Sequence, residues 1–186
     1  MISEALFVQR FIKQPKKIGS IVPSSSFLTR KMLETLPWGN LETIVELGAG
    51  TGVFTDYIAR NKREDCRVFL IEQDAKMCEA LQGRFPEFYL GTQAERLSQL
   101  LYKYDIEKVD CIISGLPFAM FSKELQNQIM HEVTISLKSN GIFMAFQYSL
   151  HMKKTFSNCF SKVTIGFEPL NFPPAFVYCC RFPQKC

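Results

Sequence analysis

Residues 44–52, I-V-E-L-G-A-G-T-G, constrain this chain more than any other stretch. A short apolar run enters three glycines at alternate positions, and a helical pattern over 53–60 follows directly. That order reads as strand, tight turn, helix, because glycines permit φ > 0 and let backbone approach a ligand where a Cβ would collide. Glu72, twenty residues after Gly52, closes a second buried-type strand over 68–71. A carboxylate at that strand end can accept both hydroxyls of a ribose. The pair describes a nucleoside site at the first βα turn of a doubly wound sheet. The plain alternative is a tight turn in an α/β domain that binds nothing there.

The glycine spacing narrows the nucleoside. Dinucleotide sites read G-x-G-x-x-G, with a helix N-terminus facing a pyrophosphate. Here Gly48, Gly50 and Gly52 alternate, and the acid Glu46 precedes them in the strand end. This E-L-G-x-G-x-G form resembles motif I of the class I S-adenosylmethionine (SAM) methyltransferases. The resemblance implies a loop, with Ala49, passing under the methionine and sugar, and Glu72 with Gln73 at the ribose.

At 186 residues the chain is long enough for one domain with a real core. A hydrophobic fraction of 47% and a charged fraction of 22% suit a globular protein in water. No apolar run reaches bilayer-spanning length, and Glu4 with interleaved charges argues against a secretory signal, so a cytoplasmic location is expected. Seven cysteines without a C-x-x-C pair read as reduced, packed thiols. His131 and His151 have no cysteines at ligand spacing, so no metal site is expected. Charge is uneven: residues 1–31 hold six basic side chains against Glu4, more net charge than the +4 of the whole chain.

Residues 2–14 read as an amphipathic helix, with Ala5, Val8 and Ile12 on a wide apolar face and Arg10, Lys13 and Lys17 opposite. Such a helix over 2–17 suits an anionic membrane surface, and it equally suits packing on its own domain. Pro23 and the hydroxyls of Ser24, Ser25 and Ser26 give helix-capping chemistry, and a helix over 27–36 follows. Free amides and hydroxyls at that start can seat a carboxylate. Residues 1–36 are thus expected to form an amphipathic and cofactor-covering arm, and 37–186 a single globular unit.

Strand patterns over 43–47, 68–71, 88–90, 109–113 and 142–148 alternate with helices over 53–60, 75–85, 96–104 and 123–137. Two last strands, 163–167 and 176–181, close the chain through Asn171-Phe172-Pro173-Pro174. This predicts an α/β, Rossmann-like sheet of seven strands, mostly parallel with an antiparallel last strand, and helices on both faces.

In such a sheet the ligand lies over the carboxyl ends of the strands. Residues 114–118, Ser114-Gly115-Leu116-Pro117-Phe118, fall there. Pro117 lacks an N–H and keeps Leu116 extended, so the carbonyls before it can face a cleft. Carbonyls can hold the hydrogens of a methyl-accepting amine while the faces of Phe118 and Tyr148 favour the developing cation. Both rings also fit as plain core aromatics.

The glycine loop, the S-G-L-P-F segment, the I-G-S-I-V-P-S-S-S-F-L lead-in and the N-F-P-P-A stretch together resemble bacterial phospholipid N-methyltransferases, relatives of the rRNA adenine dimethyltransferases. The resemblance spans nearly the whole chain. It implies transfer of methyl groups from SAM to phosphatidylethanolamine or its methylated forms, by a peripheral membrane protein docking through residues 2–17. Two departures stand out. Gln93, beside Ala94, occupies the place of an acid expected near the adenine amino group, and its carbonyl can accept the same bond without the charge. Ser114 stands where the adenine dimethyltransferases carry an asparagine amide. The implied cofactor residues are Ser24–Ser26, Glu46, Gly48, Ala49, Gly50, Gly52, Glu72, Gln73, Gln93, Ala94 and Ser114. The implied acceptor residues are Gly115, Leu116, Pro117, Phe118 and Tyr148. An RNA adenine N6-methyltransferase and a SAM-binding module without catalysis are the alternatives.

Overall fold

A computed structural model describes residues 26–184. The basic segment 2–17, Ser24 and Ser25 lie outside the described residues. Helix α1 (Ser26–Leu33) leads through a turn to strand β1 (Thr43–Leu47). Then follow α2 (Val53–Asn61), β2 (Arg67–Ile71), α3 (Ala75–Arg84), β3 (Tyr89–Gly91), α4 (Leu97–Tyr102), β4 (Val109–Ser114), α5 (Lys123–Ser136) and β5 (Leu137–Gln147). The last elements are α6 (Lys153–Cys159), β6 (Phe160–Glu168) and β7 (Ala175–Pro183).

One seven-stranded sheet results, in the order β3-β2-β1-β4-β5-β7-β6. The first five strands pair in parallel, and β7 runs antiparallel between β5 and β6, as the sequence predicts. The central strand β1 is buried at all five positions, which explains its near-continuous apolar run. One core lies between the sheet and α4, α5 and α6, around Leu47, Ile112, Phe143 and Phe156. The other lies under α1, α2 and α3, around Ile44, Phe54, Leu70 and Met144. Helix α1 belongs to that second core, with Leu28, Met32 and Leu33 fully buried.

Three departures from the sequence reading stand out, and the first two have physical causes. Ser139-Asn140-Gly141, which falls between the expected helix over 123–137 and strand over 142–148, is a large bulge inside β5, between the Val109–Leu137 and Cys111–Ile142 pairs. A Cβ on Gly141 would stand 2.8 Å from the Lys138 carbonyl oxygen, so the backbone folds on itself where glycine allows it. Helix α6 has no counterpart in the sequence pattern: its seven residues carry only Phe156 and Cys159 inward, too few for a visible period. Among the thiols, Cys66, Cys78, Cys111, Cys179 and Cys180 are free, whereas Cys159 is disulfide-bonded. The Phe172–Pro173 peptide in the β6–β7 connection is cis.

Candidate active site

The carboxyl ends of the parallel strands finish level with one another. Leu47 pairs with Ile71 and with Ser114, and Ile71 pairs with Gly91. Gly48, Glu72, Gln93 and Gly115 therefore leave the sheet along a single edge. β5 ends there too, at Gln147 opposite Phe176, which puts Tyr148 on the same edge.

The loop after β1 closes over the end of β2. The amides of Gly48 and Ala49 both donate to the Ile71 carbonyl, at 2.8 and 3.2 Å, and Gly52 N–H donates to Ala49 at 2.9 Å. All three glycines have left-handed backbones, with φ of +77°, +54° and +85°. Two of them are also confined by neighbours: a Cβ would stand 3.0 Å from Leu116 Cδ2 at Gly48 and 2.9 Å from an Arg84 guanidinium nitrogen at Gly52. Gly50 differs. Its nearest neighbour would be the Gly48 carbonyl oxygen at 4.0 Å, so the space over Gly50 is open.

Glu72 is fixed by backbone donors on both oxygens. Gly50 N–H donates to Oε2 at 2.7 Å and Asp74 N–H to Oε1 at 2.9 Å. Each carboxylate oxygen accepts two bonds, so both retain a lone pair for a ribose hydroxyl. Gln93 is an exposed, extended residue before a short 3-10 turn, and Ala94 beside it is buried. Gln73 is exposed.

Glu46 is fully buried on the β1 face that meets α2. Thr55 Oγ1 donates to its Oε2 at 2.7 Å, while Oε1 has no partner among the described residues. Burial pushes its carboxyl up to about 8; the Thr55 bond opposes the shift, and the charges of Glu72 and Asp56 add to it. An orphaned buried acceptor, an open glycine and a doubly anchored carboxylate together fit a polar nucleoside ligand such as SAM.

The 114–118 segment is pinned from two sides. Gln147 Nε2, at the end of β5, donates to the Leu116 carbonyl at 2.9 Å. Gln126 Nε2, on α5, donates to the carbonyls of Phe118 and Phe121 at 2.8 and 3.1 Å. Both glutamines are buried. Ser114 is fully buried, and its Oγ accepts from Leu116 N–H at 3.3 Å, a role inside the loop. The Pro117 carbonyl accepts from Met120 at 2.9 Å. The Gly115 carbonyl is left without a donor among the described residues.

Phe118 requires a correction. Its ring is fully buried, edge-on to Phe121 and Phe156, because the short 3-10 turn it starts tucks it beneath the sheet. It packs the core and does not wall a cleft. Phe146, which the sequence reading passed over, is the aromatic neighbour of the segment: its Cε1 stands 3.8 Å from a Cβ placed on Gly115. Phe146 is flanked edge-on by Phe54 and Tyr148 at 5.9 and 5.7 Å. Tyr148 is partly buried, and burial raises its hydroxyl pKa although a hydrogen bond with Asn171 opposes this. Gln126, Gln147 and Phe146 left only a faint trace in the sequence, a glutamine ending an apolar strand.

A methyltransferase-domain family model matches residues 44–141. Over 185 residues the chain is 37% identical to an ornithine lipid N-methyltransferase of Singulisphaera acidiphila, covering 95% of this chain and 94% of that one. It is 30% identical over 136 residues to a ribosomal RNA small subunit methyltransferase A of Acidobacterium capsulatum, covering 66% of this chain but only 44% of the relative. Among solved structures, the N-methyltransferase NodS of Bradyrhizobium japonicum, in complex with S-adenosyl-L-homocysteine, shares the fold. Its TM-score is 0.72 at 11% identity, over 95% of this chain and 98% of that one. The strand order, the glycine loop with its anchored Glu72 and the near full-length identity converge: the chain belongs to the methyltransferase-domain family and is a class I S-adenosylmethionine-dependent N-methyltransferase.

Proposed function

We propose that the chain methylates the amine nitrogen of a membrane-lipid headgroup, of the ornithine lipid or phosphatidylethanolamine kind. The observation that carries this reading is the near full-length identity to an enzyme named for ornithine lipid N-methylation. When bound, SAM supplies an electrophilic methyl group on a sulfonium centre. Glu72 holds the ribose hydroxyls, the open face of Gly50 admits the ligand, and the unpartnered Glu46 Oε1 hydrogen-bonds it. Gln93 accepts from the adenine amino group, and Ser24–Ser26 cover the amino-acid end.

On the acceptor side, the Gly115 carbonyl accepts an amine hydrogen and Leu116 and Pro117 border the cleft. The faces of Phe146 and Tyr148 stabilise positive charge growing on the nitrogen. A raised pKa keeps the Tyr148 hydroxyl protonated near neutrality, so it serves as a hydrogen-bonding group rather than a base. A neutral amine held in line needs little more than positioning. Residues 2–17 bring the enzyme to the membrane.

The test incubates purified protein with labelled SAM and three acceptors: vesicles with ornithine lipid, vesicles with phosphatidylethanolamine, and ribosomal RNA. Label in the lipid extract of either vesicle supports the reading. Label in RNA alone, or SAM binding with no transfer to any acceptor, overturns it.

A further inference from the structure

The end of β6 and the β5–α6 and β6–β7 connections project large apolar side chains into solvent. Phe172 is 66% exposed, Leu170 63%, Phe167 49% and Leu150 43%. They sit together by topology. Glu168 pairs with Ala175, Phe167 with Phe176, and Phe176 with Gln147, so both connections leave the sheet where β5 ends. Phe167 and Phe176 touch across the hairpin at 5.1 Å. This is the edge that carries Gly48, Gly115 and Tyr148, and Asn171, between Leu170 and Phe172, hydrogen-bonds Tyr148.

Charge follows the same division. Residues 32–132 contain ten basic and sixteen acidic side chains, whereas residues 133–186 contain six basic side chains and a single acid, Glu168. That carboxylate is buried, with Oε1 accepting from Leu170 N–H at 3.0 Å. Lys153 and Lys154, exposed at the start of α6, stand just beyond Leu150. Lys31 reaches the hairpin from α1, with Cε 3.2 Å from a Cβ placed on Gly166. Apolar tips flanked by lysines, in a stretch whose single carboxylate is buried, complement an anionic bilayer surface, and clustered exposed apolar side chains mark an interaction site.

We propose that Leu150, Phe167, Leu170 and Phe172 form an apolar wedge that enters the headgroup layer of an anionic bilayer. It is a second membrane contact, additional to the one proposed for residues 2–17. The wedge rests on the lipid reading above and extends it: the hairpin that docks is the one bonded to Tyr148, so docking sets the acceptor cleft against the headgroups. The β5 end of the methyl-acceptor edge then faces the membrane.

The full chain is assayed by co-sedimentation with phosphatidylglycerol/phosphatidylcholine vesicles, which contain no methylatable amine. A Leu170→Ser/Phe172→Ser double variant should partition about tenfold or more weakly, with unchanged Tm and SAM affinity. Phe182→Ser, 50% exposed at the opposite end of β7, should partition like wild type. A Phe172→Trp variant should be quenched by acyl-brominated lipid. Wild-type partitioning by the double variant, or an unquenched Phe172→Trp, overturns the wedge. So does loss of self-association in sedimentation, which makes the patch an interface between copies, or a fall in Tm, which makes it a packing surface. Failure of wild type to methylate any lipid while the double variant still leaves the vesicles defeats the acceptor reading and supports the wedge.

Discussion

Replacing Gly50 with alanine separates the needs of the fold from the needs of the ligand. The residue sits at φ +54°, where an L side chain costs about 1–2 kcal/mol. No further clash arises, since the nearest atom to the new Cβ is 4.0 Å away. For a chain of this size each kcal/mol moves Tm by about 2–4 °C, so the unliganded variant should melt roughly 2–8 °C below wild type. SAM affinity should fall at least about tenfold, because the methyl group occupies the space the cofactor approaches. At about 100 times the wild-type Kd, SAM adds about 2.7 kcal/mol to wild type; at the same concentration a tenfold weaker variant gains only about 1.4 kcal/mol. Thermal melts with and without SAM, backed by titration calorimetry, read both quantities. Wild-type SAM affinity in Gly50→Ala would refute placement of the cofactor over this loop.

Other expectations follow from the same geometry. Glu46 is protonated in the fold up to about pH 8 but ionises near 4.5 when unfolded, so the native state binds the extra proton between those values. Its stabilising contribution is full below 4.5 and is lost as pH rises to 8, by about 1.4 kcal/mol per pH unit. Urea unfolding at pH 5.5, 7 and 8.5 should show that slope in wild type, and Glu46→Gln should flatten it. Glu72→Gln turns an amide hydrogen toward either Gly50 N–H or Asp74 N–H and should weaken SAM binding about tenfold or more by calorimetry. Gln147→Ala removes the donor to the Leu116 carbonyl; kcat should fall about tenfold while SAM affinity stays within about twofold, read by steady-state kinetics beside direct binding.

Backbone-scale features were legible in the sequence, and side-chain direction was not. Strand β1 is legible to the residue because buried central strands read as unbroken apolar runs, and the alternation of strands with helices points to the seven-stranded, mostly parallel sheet, though not to its strand order. Glu72 was placed because a strand end in this fold has one location relative to the glycine turn. Phe118 shows the limit. Five residues from Ser114 to Phe118 announce a loop at the strand ends, but whether a ring turns outward or under the sheet depends on Phe156 and Phe121, one of them remote in sequence. Gln126 and Gln147 escaped for a related reason: a glutamine in a helix or at a strand end gains its role only when the loop it staples arrives from elsewhere.

The turn after β1 and the turn after β4 share one contact. Gly115 N–H donates to the Leu47 carbonyl at 2.8 Å, a Cβ on Gly115 would stand 3.1 Å from the Gly48 oxygen, and one on Gly48 would meet Leu116. The two turns thus pack directly against each other at their glycines. A shift of the first turn therefore bears on the second, and a shift of the second on the first. A side chain added at position 48 or 115 should therefore disturb both turns together, not one alone.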